Sequence, residues 1–168
     1  MSTLSVGFLG LSHLHPRAYM VLFQTMPGMQ VVAAAESDDA VRDSFAKDFP
    51  VRTYATWQQM LEQEKLDIAV LFLPHALCPE AAEACAARGI HIIVEKPMAA
   101  DAAGVRRMMD AARKTGVLLT APYVWRYHPV ARAMKKLIDD GAMGRIVGCE
   151  GRCAAGRLHR YINGNSGW

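Results

Sequence analysis

Short apolar runs alternate with amphipathic helical stretches at a steady pace, and this leaves the chain few folds to choose from. Leu4–Leu9, Met29–Ala35, Asp67–Leu73, Ile90–Val94 and Val117–Ala121 each read as a strand. Asp67–Leu73 is almost continuously apolar after its first residue, as a strand covered on both faces must be. Between the strands, helices are predicted over Pro16–Met26, Asp39–Phe49, Thr56 to about Gln63, Pro79–Arg88, and from Asp101 to Gly116. Their ends carry the expected chemistry. Pro16 suits a first helical position, Thr56-Trp-Gln-Gln59 a capping box, Asp101 an N-cap and Gly116 a stop. Strands and helices in this order, joined by short turns, predict an α/β fold with a Rossmann-type doubly wound parallel sheet.

The texture changes after Pro122. Pro129–Asp140 is amphipathic, with Val130, Met134, Leu137 and Ile138 on its apolar side, and Arg145–Gly151 reads as one more strand. The tail to Trp168 has no clear period and looks cut. The expected division is therefore a nucleotide-binding domain over 1–122 and a remainder over 123–168. That remainder would hold a crossing helix and the first strand of a truncated α/β substrate domain.

Composition narrows the function. Apolar residues make up 52% of the 168 positions, so a large core can be buried. The formal charge of +3 comes without a lysine–arginine stripe, which argues against a nucleic-acid partner. The longest apolar run, Ile68 to Leu73, is far too short to cross a bilayer, and Met1 to Leu9 lacks the basic start of a signal peptide. Four cysteines (Cys78, Cys85, Cys149, Cys153) show no C-x-x-C spacing and read as reduced thiols of a cytoplasmic protein.

Chemistry concentrates where strands end. Val94-Glu95-Lys96-Pro97 delivers a glutamate and a lysine at the carboxyl end of a buried strand, the edge of a parallel sheet where ligands bind. Lys96 there can act as acid, base or electrostatic clamp. The first turn, Gly7-Phe-Leu-Gly10-Leu-Ser12-His13-Leu-His15-Pro16, keeps only the first glycine of a dinucleotide fingerprint. Ser12 adds a Cβ but also a hydroxyl that can donate to phosphate, and His15, preceding proline, is expected to be extended and to serve as N-cap. Glu36 ends the second strand, where a carboxylate should accept from ribose hydroxyls. This favours NAD, although Ser37 could touch a 2′-phosphate and NADP stays open. His13-x-His15 could ligate a metal, but the sequence fixes no third ligand, so none is expected.

In order and spacing these residues resemble the glucose–fructose oxidoreductase / inositol dehydrogenase (Gfo/Idh/MocA) family, over what would be the N-terminal half of a member. The resemblance runs through Gly10, Glu36, Tyr54-Ala-Thr-Trp57, Pro74-His75 and Ala87-Arg-Gly-Ile-His-Ile-Ile-Val-Glu95-Lys96-Pro97. It continues through Tyr123-Val-Trp-Arg126-Tyr-His-Pro129 and Gly141-Ala-Met-Gly144. It implies an NAD(P)-dependent oxidoreductase acting on a sugar, polyol, cyclitol or related alcohol, homo-oligomeric at full length. Lys96 would be catalytic, with Pro74, His75, Glu95, Lys96 and Arg126 lining the cofactor beside Gly10, Ser12, His13, His15, Glu36 and Ser37. Ser12 and His15 depart from the family's loop glycines, which leaves a non-catalytic nucleotide- or sugar-binding relative as the rival reading.

Overall fold

The computed structural model describes residues 3–152. Six strands form one parallel sheet: β1 (Leu4–Leu9), β2 (Met29–Ala35), β3 (Arg52–Tyr54), β4 (Ile68–Leu71), β5 (His91–Val94) and β6 (Leu119–Thr120). Their spatial order is β3-β2-β1-β4-β5-β6, so the chain reverses direction across the sheet between β1 and β4. In such sheets the crevice at the reversal, outside the carboxyl ends of the strands, is the ligand site.

Helices cover both faces. Helices α1 (Pro16–Gln24) and α2 (Asp39–Asp48) pack Met20, Phe23 and Phe45 against Val6, Phe8, Val70 and Phe72. Phe8 is fully buried and meets Phe72 edge-on, with ring centroids 5.3 Å apart. On the other face, α3 (Trp57–Gln63), α4 (Cys78–Ala86) and α5 (Ala102–Thr115) bury Met60, Ala82 and Met108 against Leu9, Leu71, Ile92 and Val94. Cys78 and Cys85 belong to this core as buried thiols. Burial pushes both up, Cys78 to about 11 and Cys85 to about 12, so they stay protonated and unreactive.

The helix-end chemistry read from sequence is present. The Thr56 and Asp101 side chains accept from the N–H groups of Gln59 and Gly104. Gly116 ends α5 at φ 78°, a left-handed conformation that suits glycine. The short edge strand β3 was not foreseen. Two expectations fail. His15 is in the right-handed helical region (φ −86°, ψ −27°) and makes no side-chain cap. Its imidazole turns away to another partner, described below. Residues 145–151 form no strand and are exposed. A strand needs a partner ladder, and among the described residues none is offered to them. Helix α6 (Pro129–Asp139) forms as expected, with Val130, Met134, Leu137 and Ile138 exposed.

The α5 cap gives a direct stability test. Asp101→Ala should lower the unfolding free energy by about 1 kcal/mol, whereas Asp101→Asn, which keeps an acceptor, should cost a few tenths. Urea unfolding followed by circular dichroism measures both.

Candidate functional site

The carboxyl ends of β1, β2, β4 and β5 bring Gly10, Glu36, Phe72–His75 and Glu95–Lys96 to one edge of the sheet, where a crevice opens. Gly10 makes the approach possible. Its φ is 90°, and a Cβ there would lie 2.9 Å from the Phe72 carbonyl oxygen. Its N–H donates to Ala35 O at 2.8 Å, tying the turn to the end of β2. The crevice opens into a cavity of about 390 Å³. Gly10, Ser12, His13, Glu36, Ser37 and Pro74 line it, together with Asp38, Trp57, Phe72 and Leu77.

Glu36 is 9% exposed and its carboxylate is surrounded by donors. Leu11 N, Ser12 N and Ser12 Oγ donate to Oε2 at 2.8, 3.0 and 3.0 Å. Ser37 Oγ and Asp38 N donate to Oε1 at 3.3 and 3.1 Å. Burial opposes ionisation, but the donors, led by the amides of Leu11 and Asp38, outweigh it and hold the carboxyl below its usual range. The Ser12 hydroxyl, expected to face phosphate, thus serves Glu36 instead. β3 contributes here as well, because Glu36 N donates to Tyr54 O at 3.0 Å.

A second buried carboxylate follows β5. Glu95 is only 3% exposed, and its Oε2 lies 2.9 Å from His15 Nδ1. This contact explains why His15 does not cap its own helix. Among the described residues Glu95 Oε1 has no hydrogen-bond partner, and it stands 3.7 Å from Lys96 Nζ. The Lys96 side chain is 49% exposed, while its countercharge stays buried. His13 completes the group. Its Nδ1 accepts from His15 N at 3.1 Å, and its ring meets the His15 ring edge-on with centroids 4.4 Å apart. Burial first and the His15 ring second push His13 down to about 4. His75 is lowered by burial and by Lys96, with Glu95 opposing. Tyr19, whose ring stacks near His15, is pushed up to about 12 by burial and by Glu95.

His13, His15 and Glu95 place one potential metal-ligating atom each within 4.8 Å of one another, so the third ligand that the sequence left open exists in space. Within this group two ring nitrogens are already engaged. His13 Nδ1 already accepts a backbone N–H, His15 Nδ1 faces the carboxylate, and Lys96 places a cation beside Glu95. Arg126 is not brought to the crevice. It lies in an exposed 3₁₀ turn (Val124–Tyr127) and lines a separate depression with Arg132 and Lys136. Trp57, Asp38 and Tyr19 went unread as site residues. Trp57 had a sequence signal, falling just after a helix cap that follows the edge strand.

A parallel sheet with this strand order, a glycine turn at its reversal and a carboxylate ending β2 define a dinucleotide-binding α/β domain. Residues 4–123 match the family model described as "Oxidoreductase family, NAD-binding Rossmann fold", and the chain belongs to this Gfo/Idh/MocA family. Among curated relatives it is 28% identical over 143 residues to dTDP-3,4-didehydro-2,6-dideoxy-alpha-D-glucose 3-reductase of Streptomyces violaceoruber, covering 85% of this chain and 42% of that protein. It is 29% identical over 149 residues to levoglucosan dehydrogenase of Pseudarthrobacter phenanthrenivorans, covering 86% and 38%. Among solved structures it is similar to the WlbA dehydrogenase of Bordetella pertussis in complex with NADH and UDP-GlcNAcA, with a TM-score of 0.81 at 25% identity, covering 86% and 42%. The chain thus spans about two-fifths of the length of these proteins.

The Glu36 network makes a pH-dependent prediction. A carboxyl whose folded pKa is depressed contributes stability above its unfolded value, and that stability is lost as pH falls through the folded one. Glu36→Gln should therefore destabilise the chain by about 2 kcal/mol near neutral pH, the scale of lost charge-assisted hydrogen bonds. The gap between wild type and variant should close as pH drops below the ordinary carboxylate range, in urea unfolding repeated across pH.

Proposed function

We propose that this chain forms the dinucleotide-binding part of an NAD-dependent dehydrogenase acting on a sugar, cyclitol or related alcohol. Residues 1–122 would form the dinucleotide domain and 123–168 the start of the substrate domain. The observation that carries this reading is the placement of two buried carboxylates at the carboxyl edge of one parallel sheet. Glu36 stands at the end of β2 beside the cavity, and Glu95 stands at the end of β5 beside Lys96. The names of the relatives, a sugar-nucleotide reductase and a levoglucosan dehydrogenase, support the substrate class.

The residues present suit a dinucleotide. Gly10 lets a ligand approach the backbone, and Glu36 offers acceptors for ribose hydroxyls once its two serine partners rotate aside. When bound, the nicotinamide supplies hydride acceptance or donation. The chain's own task is the proton. Lys96, half-exposed beside Glu95, orients the substrate hydroxyl and takes or returns its proton, and Glu95 keeps a compensating charge at 3.7 Å. Buried Glu95 is held in turn by His15, so the lysine's electrostatic surroundings are fixed from beneath. A second reading, a nucleotide-binding relative without catalysis, is favoured by one feature: the amides of Leu11 and Ser12 are engaged by Glu36 rather than open to phosphate.

Calorimetric titration of the chain with NAD and NADP tests the cofactor side. A carboxylate beside a 2′-phosphate is repelled by an amount of order 1–3 kcal/mol in a partly screened site, so NAD should bind about tenfold or more tightly than NADP. Equal or inverted affinities would mean that Glu36 does not face the ribose. The catalytic side is tested on a form that carries the substrate domain. There Lys96→Ala should reduce kcat about a hundredfold with much less effect on cofactor binding. Turnover that survives the substitution would return Lys96 to a structural ion pair.

A further inference from the structure

The two carboxylate oxygens of Glu95 are held differently. The residue's backbone N–H donates to Leu71 O at 2.9 Å, which ties it to the end of β4 and leaves the aim of the side chain to its partners. Oε2 lies 2.9 Å from His15 Nδ1. A carboxylate oxygen accepts, so this ring nitrogen carries the hydrogen and donates it. Oε1 has no hydrogen bond among the described residues and stands 3.7 Å from Lys96 Nζ, beyond hydrogen-bond reach. One oxygen is tethered and the other is left to the lysine.

The tether is itself fixed. The His15 side chain is 37% exposed, so its neighbours rather than burial hold it. Its backbone N–H donates to His13 Nδ1 at 3.1 Å, and its carbonyl oxygen accepts from Tyr19 N at 2.9 Å as α1 begins. Its ring lies nearly parallel to that of Tyr19, at 17° and 6.2 Å, and meets the His13 ring edge-on. The imidazole makes no cap bond to its own helix and reaches a carboxylate 80 residues away.

We infer that His15 is a positioning residue for Lys96: by holding Glu95 through Oε2 it keeps that carboxylate from closing on the lysine amine, which stays available to the substrate hydroxyl. This rests on the reading of Lys96 as the proton-transferring group, and adds a residue that acts on it from the turn after β1. The physical reason is that a buried carboxylate needs charge-assisted partners. Without the His15 donor, Lys96 is the one cation at ion-pair distance from Glu95 among the described residues. The carboxylate then turns to the amine, the 3.7 Å gap closes to contact, and the lysine is drawn away from the reacting hydroxyl.

The test reads Lys96 directly. The chain and its His15→Ala and His15→Asn variants are labelled with limiting acetic anhydride at fixed pH, and acetylation of each lysine is followed by mass spectrometry. Lys47 and Lys114, both exposed, serve as references. In His15→Ala, Lys96 should react about fivefold more slowly relative to them, the scale of one partly exposed ion pair. His15→Asn keeps an N–H donor near the place of Nδ1 and should restore most of the rate. A residue that merely supports the fold would give the opposite sign, because loosening exposes the amine. Lys96 reacting as fast or faster in His15→Ala therefore overturns the assignment, and so does His15→Asn behaving like His15→Ala. Should His15→Ala fail to fold, His15→Phe takes its place, since it keeps a ring against Tyr19 and lacks the donor. On a form that carries the substrate domain, His15→Ala should lower kcat about tenfold, the scale of a misplaced catalytic group, and leave KM nearly unchanged. A raised KM with kcat intact would also overturn the positioning role. Slowed Lys96 acetylation together with full turnover in Lys96→Ala would instead overturn the catalytic reading of Lys96, with His15 still the holder of the pair.

Discussion

Strand β1 is hydrogen-bonded along both edges, to β2 and to β4, and packed on both faces, so from Val6 to Leu9 it is buried. That constraint organises the molecule. Val6, Phe8 and Leu9 are fully buried, which forces helices onto each face and makes the chain cross the sheet between β1 and β4. The crossing leaves a gap at the strand ends that no connection fills. Gly10 can line that gap because a residue with a Cβ would strike the Phe72 carbonyl. Core and site are thus one arrangement seen from two ends.

The two carboxylates at this edge are stabilised in different ways. Glu36 is surrounded by donors and held ionised, so its charge is balanced by backbone dipoles and two serine hydroxyls. Glu95 is more deeply buried and has one imidazole and one distant ammonium, with Oε1 lacking a hydrogen bond. A buried carboxylate with an incomplete set of partners is costly, and such groups concentrate where a protein handles ligands or protons. Glu36 reads as the organiser of the turn and Glu95 as the counterweight for Lys96.

Much of the fold was legible along the chain because it rests on local chemistry. Apolar runs marked five of the six strands, and side-chain caps at Thr56 and Asp101 with a left-handed Gly116 marked helix ends. β3 escaped because three residues cannot display a period; only the ladder to β2 makes it a strand. The reverse error occurred at 145–151, where an apolar pattern was present but no partner ladder meets it among the described residues. His15 was misplaced for a related reason. Its local preference as the residue before a proline lost to a carboxylate 80 residues away.

By itself the sequence determined the sheet's strand-and-helix rhythm, the glycine that permits close approach, and the identities of Glu36, Glu95 and Lys96 as residues at strand ends. These follow from periodicity and from residue types whose preferences act within a few positions. Only the tertiary structure decided what those residues do to one another. It turned Ser12 and the turn amides toward Glu36, set His15 under Glu95, and left Arg126 outside the crevice. Hydrogen bonds between distant segments have no period in the sequence. They exist because the strand order brings β1, β2, β4 and β5 to one edge, and that order is settled by burial across the whole domain.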